Sequence, residues 1–325
     1  MIKHYNVLII PAGSGMAVAA IKMLKRDKKI RVISADADRL SPGLYLSHKG
    51  YVVPRFDDSA FFPSVKEIIE KEKINLIIPA LDTILLDFSE KKKEFERIGV
   101  KVMVSSPETI MITRDKWKTY NALKGIVPVP RSFLRKKDID IDFPLFIKPR
   151  HGSGSNFAYR VDSKEELDFF YKRIDKPIIQ EYLGGKEYTV DCLADTEGKL
   201  IIAVPRERIS TKAGISVKGK IVKNDQLEEM AKKISRRLNF SGPFFFQAKE
   251  NDEGVPHLTE INARISGSMS FSSSAGPNLH VMAVKIFMGE RITTKPKIKY
   301  GTYFTRYFEE ICLSETSLNE LIESA

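Results

Sequence analysis

Gln247, Glu260, Asn262 and Arg264 fall in a stretch that reads as two adjacent antiparallel strands. The apolar run Phe244-Phe245-Phe246 delivers Gln247, Asn251–Gly254 forms a turn, and His257-Leu258-Thr259 leads back to Glu260. Alternation of period two sets Glu260, Asn262 and Arg264 on one face, with Ile261 and Ala263 on the other. Gln247 on the partner strand can point at the same spot. A carboxylate, two amide oxygens and a guanidinium on one surface suit a hard, oxygen-ligated ion such as Mg²⁺ (or Mn²⁺) held against phosphates, because Mg²⁺ takes few carboxylates and completes its shell with substrate oxygens. The competing reading is an exposed polar face on a two-stranded edge.

Lys148 is a second signal. Phe143–Arg150 reads FPLFIKPR and runs into Gly152-Ser153-Gly154-Ser155-Asn156. A strand that turns Lys148 inward places an ammonium on the α- and β-phosphates of a nucleotide, and small loop residues let backbone N–H groups close over the β- and γ-phosphates. The same letters also fit a flexible turn. Glu181, Tyr182 and Leu183 end the strand-like run Pro177–Leu183, and Glu187 follows Gly184-Gly185. Carboxylates there are good acceptors for an exocyclic amine and for paired hydroxyls; a surface hairpin would account for the acids but not for their spacing. Arg206 and Arg208 sit in Leu200–Ile209, ahead of Ser210–Gly219, which reads as a Gly/Lys/Ser loop. Either arginine can bind a substrate carboxylate over an acceptor site or sit in a surface ion pair. Ser266 opens the Ser- and Gly-rich Ile265–Gly276, whose hydroxyls can touch substrate or whose small residues can merely let the helix Leu279–Phe287 pack closely.

Two look-alikes are weaker: the first is dismissed and the second is kept only as a rival. Gly214–Ile221 nearly spells a phosphate-binding P-loop, but Ile221 stands where Ser or Thr would ligate Mg²⁺, and no strand-turn-helix context surrounds it. Gly13-Ser14-Gly15 with Asp36 and Asp38 hints at a dinucleotide turn, yet Val18 replaces the third small residue.

Taken in order, Lys116, Lys148 with its glycine-rich loop, Glu181, Glu187, Gln247, Glu260 and Asn262 resemble the ATP-grasp enzymes, in particular the carbamoyl-phosphate-synthase-like branch, and Ser34–Pro54 resembles the corresponding stretch of that branch. The resemblance implies that Lys116 and Lys148 reach the nucleotide phosphates together with Gly152, Ser153, Gly154 and Ser155. It further implies that Glu181, Tyr182 and Leu183 read the adenine edge, that Glu187 takes the ribose hydroxyls, and that Gln247, Glu260 and Asn262 hold the metal. Lys148 and Arg264 would be catalytic, with Arg264 stabilising the transferring phosphoryl group; Arg206, Arg208 and Ser266 would bind substrate. His151 and Asn156 depart from the residues commoner at their positions. The implied activity is an ATP- and Mg²⁺-dependent carboxylate–amine ligase acting through an acyl-phosphate and releasing ADP and phosphate. Its partners would be a small carboxylate and an amine, with a homodimer as the family-based expectation for assembly. One such module leaves no room for a complete carbamoyl phosphate synthase. The rivals are a catalytically silent ATP-binding module and a nicotinamide-dependent oxidoreductase using Gly13 and Gly15.

Composition narrows the classes. The 325 residues are 42% hydrophobic and 29% charged, ordinary for a soluble globular chain, with no apolar run near the length of a membrane span. The net charge of +11 is spread over amphipathic segments such as Lys22–Lys29 and mixed with Glu, without a basic-aromatic motif, so nucleic acid is not an expected partner. MIKHYNVLII enters a strand without a leader-like pattern, and Cys192 and Cys312 form no disulfide framework; a cytoplasmic location is expected.

The elements that must carry these residues follow from periodicity. Strands at Asn6–Pro11, Ile30–Ala35, Tyr51–Val53, Leu76–Pro79 and Val100–Val104 alternate with helices, notably Phe61–Glu72 and Leu85–Ile98, which predicts a Rossmann-like parallel sheet over 1–110. Thr113 or Asp115 caps a helix carrying Lys116. With the resemblance, the fold class is α/β and α+β: the parallel domain, then a two-subdomain ATP-grasp fold with a small lid over 111–187 and a large subdomain with the metal hairpin over 188–310. A peripheral tail, 311–325, closes the chain.

Overall fold

The computed structural model describes residues 4–323 except 153, 155 and 293–295. Three sheets account for its architecture. The first is all-parallel, in the order β3-β2-β1-β4-β5, built from β1 (Tyr5–Ile10), β2 (Ile30–Asp36), β3 (Lys49–Val52), β4 (Leu76–Pro79) and β5 (Lys101–Val102). Its strands are near-continuous apolar runs because helices cover both faces, and Val7, Leu8 and Ile9 are all fully buried. Strand order reverses between β1 and β4, which makes a crevice at their carboxyl ends.

A small antiparallel sheet, in the order β6-β9-β7-β8, follows: β6 (Ser132–Phe133), β7 (Leu145–Pro149), β8 (Tyr159–Val161) and β9 (Pro177–Glu181). The helix Lys164–Arg173, N-capped by Ser163, packs against β7 and β8. This unit has a core of its own, Leu145, Ile147, Val161, Leu167, Ile174 and Ile179.

The largest sheet is antiparallel, in the order β14-β13-β10-β11-β12-β15: β10 (Glu187–Ala194), β11 (Leu200–Lys212), β12 (Ile215–Ile221), β13 (Pro243–Glu250), β14 (Pro256–Asn262) and β15 (Tyr303–Thr305). The helices Pro107–Thr113 and Lys116–Leu123 pack against β14. Unlike the small sheet, this one shares its core with the N-terminal sheet. Leu8 and Phe88 belong to one apolar cluster with Val190, Phe244 and Phe246, and Val7, Ile9 and Met16 to another with Leu193, Val204 and Leu279.

Several local readings change. The loop expected over Ser210–Gly219 is a hairpin: β11 and β12 are joined by the two residues Ala213 and Gly214, both left-handed (φ 48° and 73°), the twist that a tight hairpin requires. The long helix expected over Leu85–Ile98 is two, Leu85–Glu90 and Lys92–Arg97, broken at Lys91. Ile265–Gly276 contains a short helix, Met269–Ser274. Beyond 310, the helix Glu315–Glu323 lies on β3, and Leu321 is buried with Ala12 and Leu44.

Candidate nucleotide and metal site

A cavity of about 610 Å³ opens between the small sheet and the β10–β13–β14 edge of the large one. Lys116, Lys148, Gly152, Glu181, Tyr182, Leu183, Glu187, Gln247 and Glu260 all line it. Residues scattered over more than a hundred positions of sequence therefore meet on one surface. Ser153 and Ser155 lie outside the described residues.

Local chemistry explains each placement. Along β7, Leu145 and Ile147 enter the small core, and the alternation turns Phe146 and Lys148 to the cavity. The Lys148 Nζ donates to the Thr259 carbonyl oxygen at 3.2 Å. Thr259 is the extra residue of a β-bulge, since Gln247 pairs with Glu260 while Ala248 already pairs with Leu258. A bulge re-aims the side chains beside it, here Glu260. Lys116 begins a helix whose N-cap is Asp115, and its Nζ donates to the Gly152 carbonyl oxygen at 2.9 Å, so it touches the glycine-rich loop.

The two lysines lack full compensation. Burial first, and the neighbouring Lys116 second, lower the Lys148 pKa to about 8, with Glu260 and Glu187 only partly opposing them. Burial also pulls Lys116 below its usual range, against the attraction of Glu260, Asp115 and Asp82. A buried ammonium and a half-buried one beside each other make a seat for a polyanion.

At the other end, the Glu181 carboxylate accepts from the Arg131 N–H at 3.1 Å, and the Tyr182 ring lies 4.8 Å from the Arg160 guanidinium and 5.1 Å from the Lys249 ammonium. Glu187 is 3.2 Å from Arg208, whose Nη2 donates to the Gly214 carbonyl oxygen at 2.8 Å and so ties the β11–β12 turn to the site. A Cβ on Gly154 would lie 3.8 Å from the Ala213 carbonyl oxygen, so the glycine-rich loop and this turn are neighbours.

Gln247 and Glu260 are direct cross-strand partners, and the Asn262 Nδ2 donates to Glu260 at 2.9 Å. Among the described residues no group of three or more His, Cys, Asp or Glu could cage a metal. One carboxylate flanked by two amides fits a hard divalent ion that brings phosphate oxygens with it, and Gln247, Glu260 and Asn262 are the residues that would hold it.

Other expected residues already have partners of their own. Arg264 makes a two-pronged ion pair with Asp82, just after β4, at 2.7 and 2.5 Å. Arg206 is fully buried: its Nε and Nη2 donate to Asp191 at 2.7 and 3.3 Å, and Nη2 also reaches Ser268 at 3.0 Å. Ser266 and Ser272 donate to the same carboxylate at 2.6 and 2.5 Å. Arg206 and Ser266, expected against substrate, are thus held in a buried network around Asp191 that fixes the Ser-rich segment. The Gly13 N–H donates to Asp36 at 2.7 Å, so the acid expected to read a ribose in the dinucleotide rival closes its own turn.

The cavity also takes in Phe157, Lys249, His151 and Asn156. Lys249 was accessible to reasoning, because it lies two residues past Gln247 on the same strand face. Phe157, left-handed at φ 55° and exposed, carries no sequence signal.

Comparison with known proteins agrees with this geometry. Residues 173–307 match the family described as ATP-grasp in the biosynthetic pathway with Ter operon, and residues 7–103 match the PylC-like N-terminal domain. Residues 173–307 thus group with the ATP-grasp proteins. Among curated relatives, a D-alanine–D-alanine ligase from Petrotoga mobilis is 24% identical over 228 residues, 62% of this chain and 76% of that one. The carbamoyl phosphate synthase large chain of a Thermoanaerobacter species is 28% identical over 217 residues, 60% of this chain. This chain spans only 20% of that relative's length. Among solved structures, the biotin carboxylase of Campylobacter jejuni superposes with a TM-score of 0.75 at 16% identity, covering 91% of this chain and 74% of that one, which establishes the ATP-grasp fold. Among the described residues no helix is long and apolar enough to cross a membrane.

Proposed function

We propose that this ATP-grasp protein is an ATP- and Mg²⁺-dependent carboxylate–amine ligase that works through an acyl-phosphate and releases ADP and phosphate. The observation that carries this reading is the pair of incompletely compensated lysines, Lys116 and Lys148, on the same cavity as Gln247 and Glu260, with Asn262 bonded to Glu260. Cations and oxygen ligands converge there as a triphosphate with a divalent ion would require.

Lys148 and Lys116 hold the phosphates and take up negative charge as the terminal phosphoryl group departs. Glu181, Tyr182 and Leu183 flank the base, and Glu187 accepts from the ribose hydroxyls. Gln247, Glu260 and Asn262 would hold a divalent metal, which would supply charge neutralisation to the phosphates; the substrate carboxylate attacks the γ-phosphorus and ADP leaves. Arg264 steadies the transferred group, sharing its guanidinium with Asp82. The glycine-rich loop and the Ala213–Gly214 turn keep water from the acyl-phosphate until an amine attacks it, displacing phosphate and forming the amide. No covalent enzyme intermediate is needed; the residues position and compensate charge. The relatives' names, a D-alanine–D-alanine ligase among them, support ligation in general.

The test is acyl-hydroxamate formation with ATP, Mg²⁺ and hydroxylamine across a panel of amino acids and small carboxylic acids. Hydroxylamine replaces the unknown amine, so only the acid has to be found. Hydroxamate that depends on both ATP and one acid is the expected result. Failure of every acid in an enzyme that binds ATP would count for a silent nucleotide-binding module.

A further inference from the structure

The inner face of the large sheet at β11, β12 and β15 carries more positive charge than its own acids neutralise. Arg206 is matched by Asp191 and Arg208 by Glu187. Across the crevice, Arg264 is matched by Asp82. Arg306, one residue past β15, is the exception.

Arg306 is held in place without a counter-charge. Its guanidinium lies 5.1 Å from the centroid of the Phe271 ring, which stacks on Phe304 at 3.8 Å. Arg206 sits 6.0 Å from the same Phe271 ring. The Arg306 Nη2 donates to the Gly267 carbonyl oxygen at 2.6 Å, and its backbone N–H is bonded to Val217 of β12. Among the described residues no Asp or Glu pairs with it, and burial, followed by the nearby Arg206, lowers its pKa. A half-buried cation repelled by a neighbour is costly unless an anion arrives.

The position of this cation is informative. Gly267 lies between Ser266 and Ser268, three residues beyond Arg264, on the segment that leads away from the metal hairpin. Ile215, beside the β11–β12 turn, comes within 3.8 Å of where a Gly267 side chain would begin. The turn that meets the glycine-rich loop therefore also adjoins the Gly267 segment that holds Arg306. Gly219 lets the Phe304 ring lie flat on β12, since a Cβ there would collide with it. That packing fixes the platform from which the guanidinium projects.

We propose that Arg306 is a specificity-determining residue that binds a second anionic group on the acid, so that the substrate class is acids carrying an additional carboxylate or phosphate rather than neutral monocarboxylates. This rests on the ligase reading above. The second anion supplies the missing counter-charge, and the planar fork of Arg306 suits either oxyanion.

The test uses the full chain in the hydroxamate assay with matched acids: L-glutamate against L-norvaline, and O-phospho-L-serine against L-serine. The wild-type protein is expected to favour an anionic member at least about tenfold in kcat/KM, and the pair that shows the preference distinguishes carboxylate from phosphate. Arg306→Gln is expected to erase that preference by raising KM for the acid while leaving KM for ATP unchanged, and Arg306→Lys to restore part of it. A purely structural role would instead move both KM values or lower the melting temperature without changing selectivity. Equal use of neutral acids, or an unchanged acid KM in Arg306→Gln, overturns the subsite and leaves the ligase standing. Absence of hydroxamate with every acid overturns both.

Discussion

Arg150, just past β7, and Asp115, in the body of the molecule, are joined by two parallel hydrogen bonds, Nε to Oδ1 at 2.7 Å and Nη2 to Oδ2 at 2.6 Å. The same nearly buried carboxylate caps the helix of Lys116 by accepting from the Trp117 and Lys118 N–H groups at 3.0 and 3.2 Å. Burial works against ionisation of Asp115, yet Arg150 and the Lys118 N–H hold its pKa below the usual carboxylate range. One side chain thus sets both phosphate-facing lysines: Lys116 through the cap, and Lys148 through the strand that ends at Arg150. Arg150→Ala leaves the cap intact and releases the small sheet. It should raise KM for ATP roughly tenfold with a smaller effect on kcat, as expected for loss of a charge-assisted pair. Steady-state ADP release is the readout, and an unchanged KM would show that the latch has no role in nucleotide binding.

The Lys148 pKa of about 8 gives ATP binding a pH dependence with a definite sign. Below that value the ammonium is charged and meets the phosphates; above it the free protein has lost the proton and must recover it on binding. Affinity should therefore weaken as pH rises beyond 8, and binding at about pH 8.5 should take up protons. For folding, the depressed lysine works the other way. Between about 8 and its ordinary value near 10.4 the unfolded chain binds more protons than the fold, so this group's contribution to stability rises with pH across that window. Titration calorimetry in two buffers of different ionisation heat checks the proton uptake, which Lys148→Met should abolish. Binding heats independent of buffer would contradict the assignment.

Glu260 supplies the sole carboxylate of the proposed metal set. Glu260→Gln keeps its shape and its place opposite Gln247 but removes the charge, so turnover should fall at least a hundredfold while nucleotide still binds. Lys148→Ala should do the reverse and act first on ATP affinity. Equilibrium binding of a fluorescent ATP analogue, set beside turnover, separates the two. If both variants kept wild-type rates, the site would lie elsewhere.

Asp191 and Arg206 are both fully buried, and Asp191 also receives Ser266 and Ser272. Removing one member strands the other, so Asp191→Ala should destabilise the fold by about 3–5 kcal/mol. Replacing both by apolar residues should recover much of that loss. Urea unfolding of the single and double variants tests this. Were Arg206 a substrate ligand, Arg206→Met would instead raise the acid's KM at little cost in stability.

The alternating strands of the N-terminal half were legible because parallel strands buried on both faces leave unbroken apolar runs, as at Leu76–Pro79. Glu260 and Asn262 were legible because a period of two leaves one geometry for a polar-apolar alternation. From sequence Arg206 reads as a substrate ligand or a surface ion pair, because sequence records a residue's charge and not its depth; its depth is set by Asp191 on the neighbouring strand and by Ser266, Ser268 and Ser272 far along the chain. The helix Lys164–Arg173 went unread although Ser163 and the acids of its first turn mark its start. The small strand β15 carries no such mark: it exists because Phe304 finds Phe271 and Gly219, a tertiary cause that local pattern does not contain.

The separate core of the small sheet has an evolutionary consequence. The N-terminal and large sheets interlock through shared apolar clusters, so neither could be inherited, lost or exchanged without stripping the other of its interior. The small sheet can be traded as a cassette, provided the newcomer presents a lysine like Lys148 and an arginine able to find Asp115. Substrate range in relatives of this chain should accordingly diverge through the body, at positions such as Arg306, while recombination shuffles the lid.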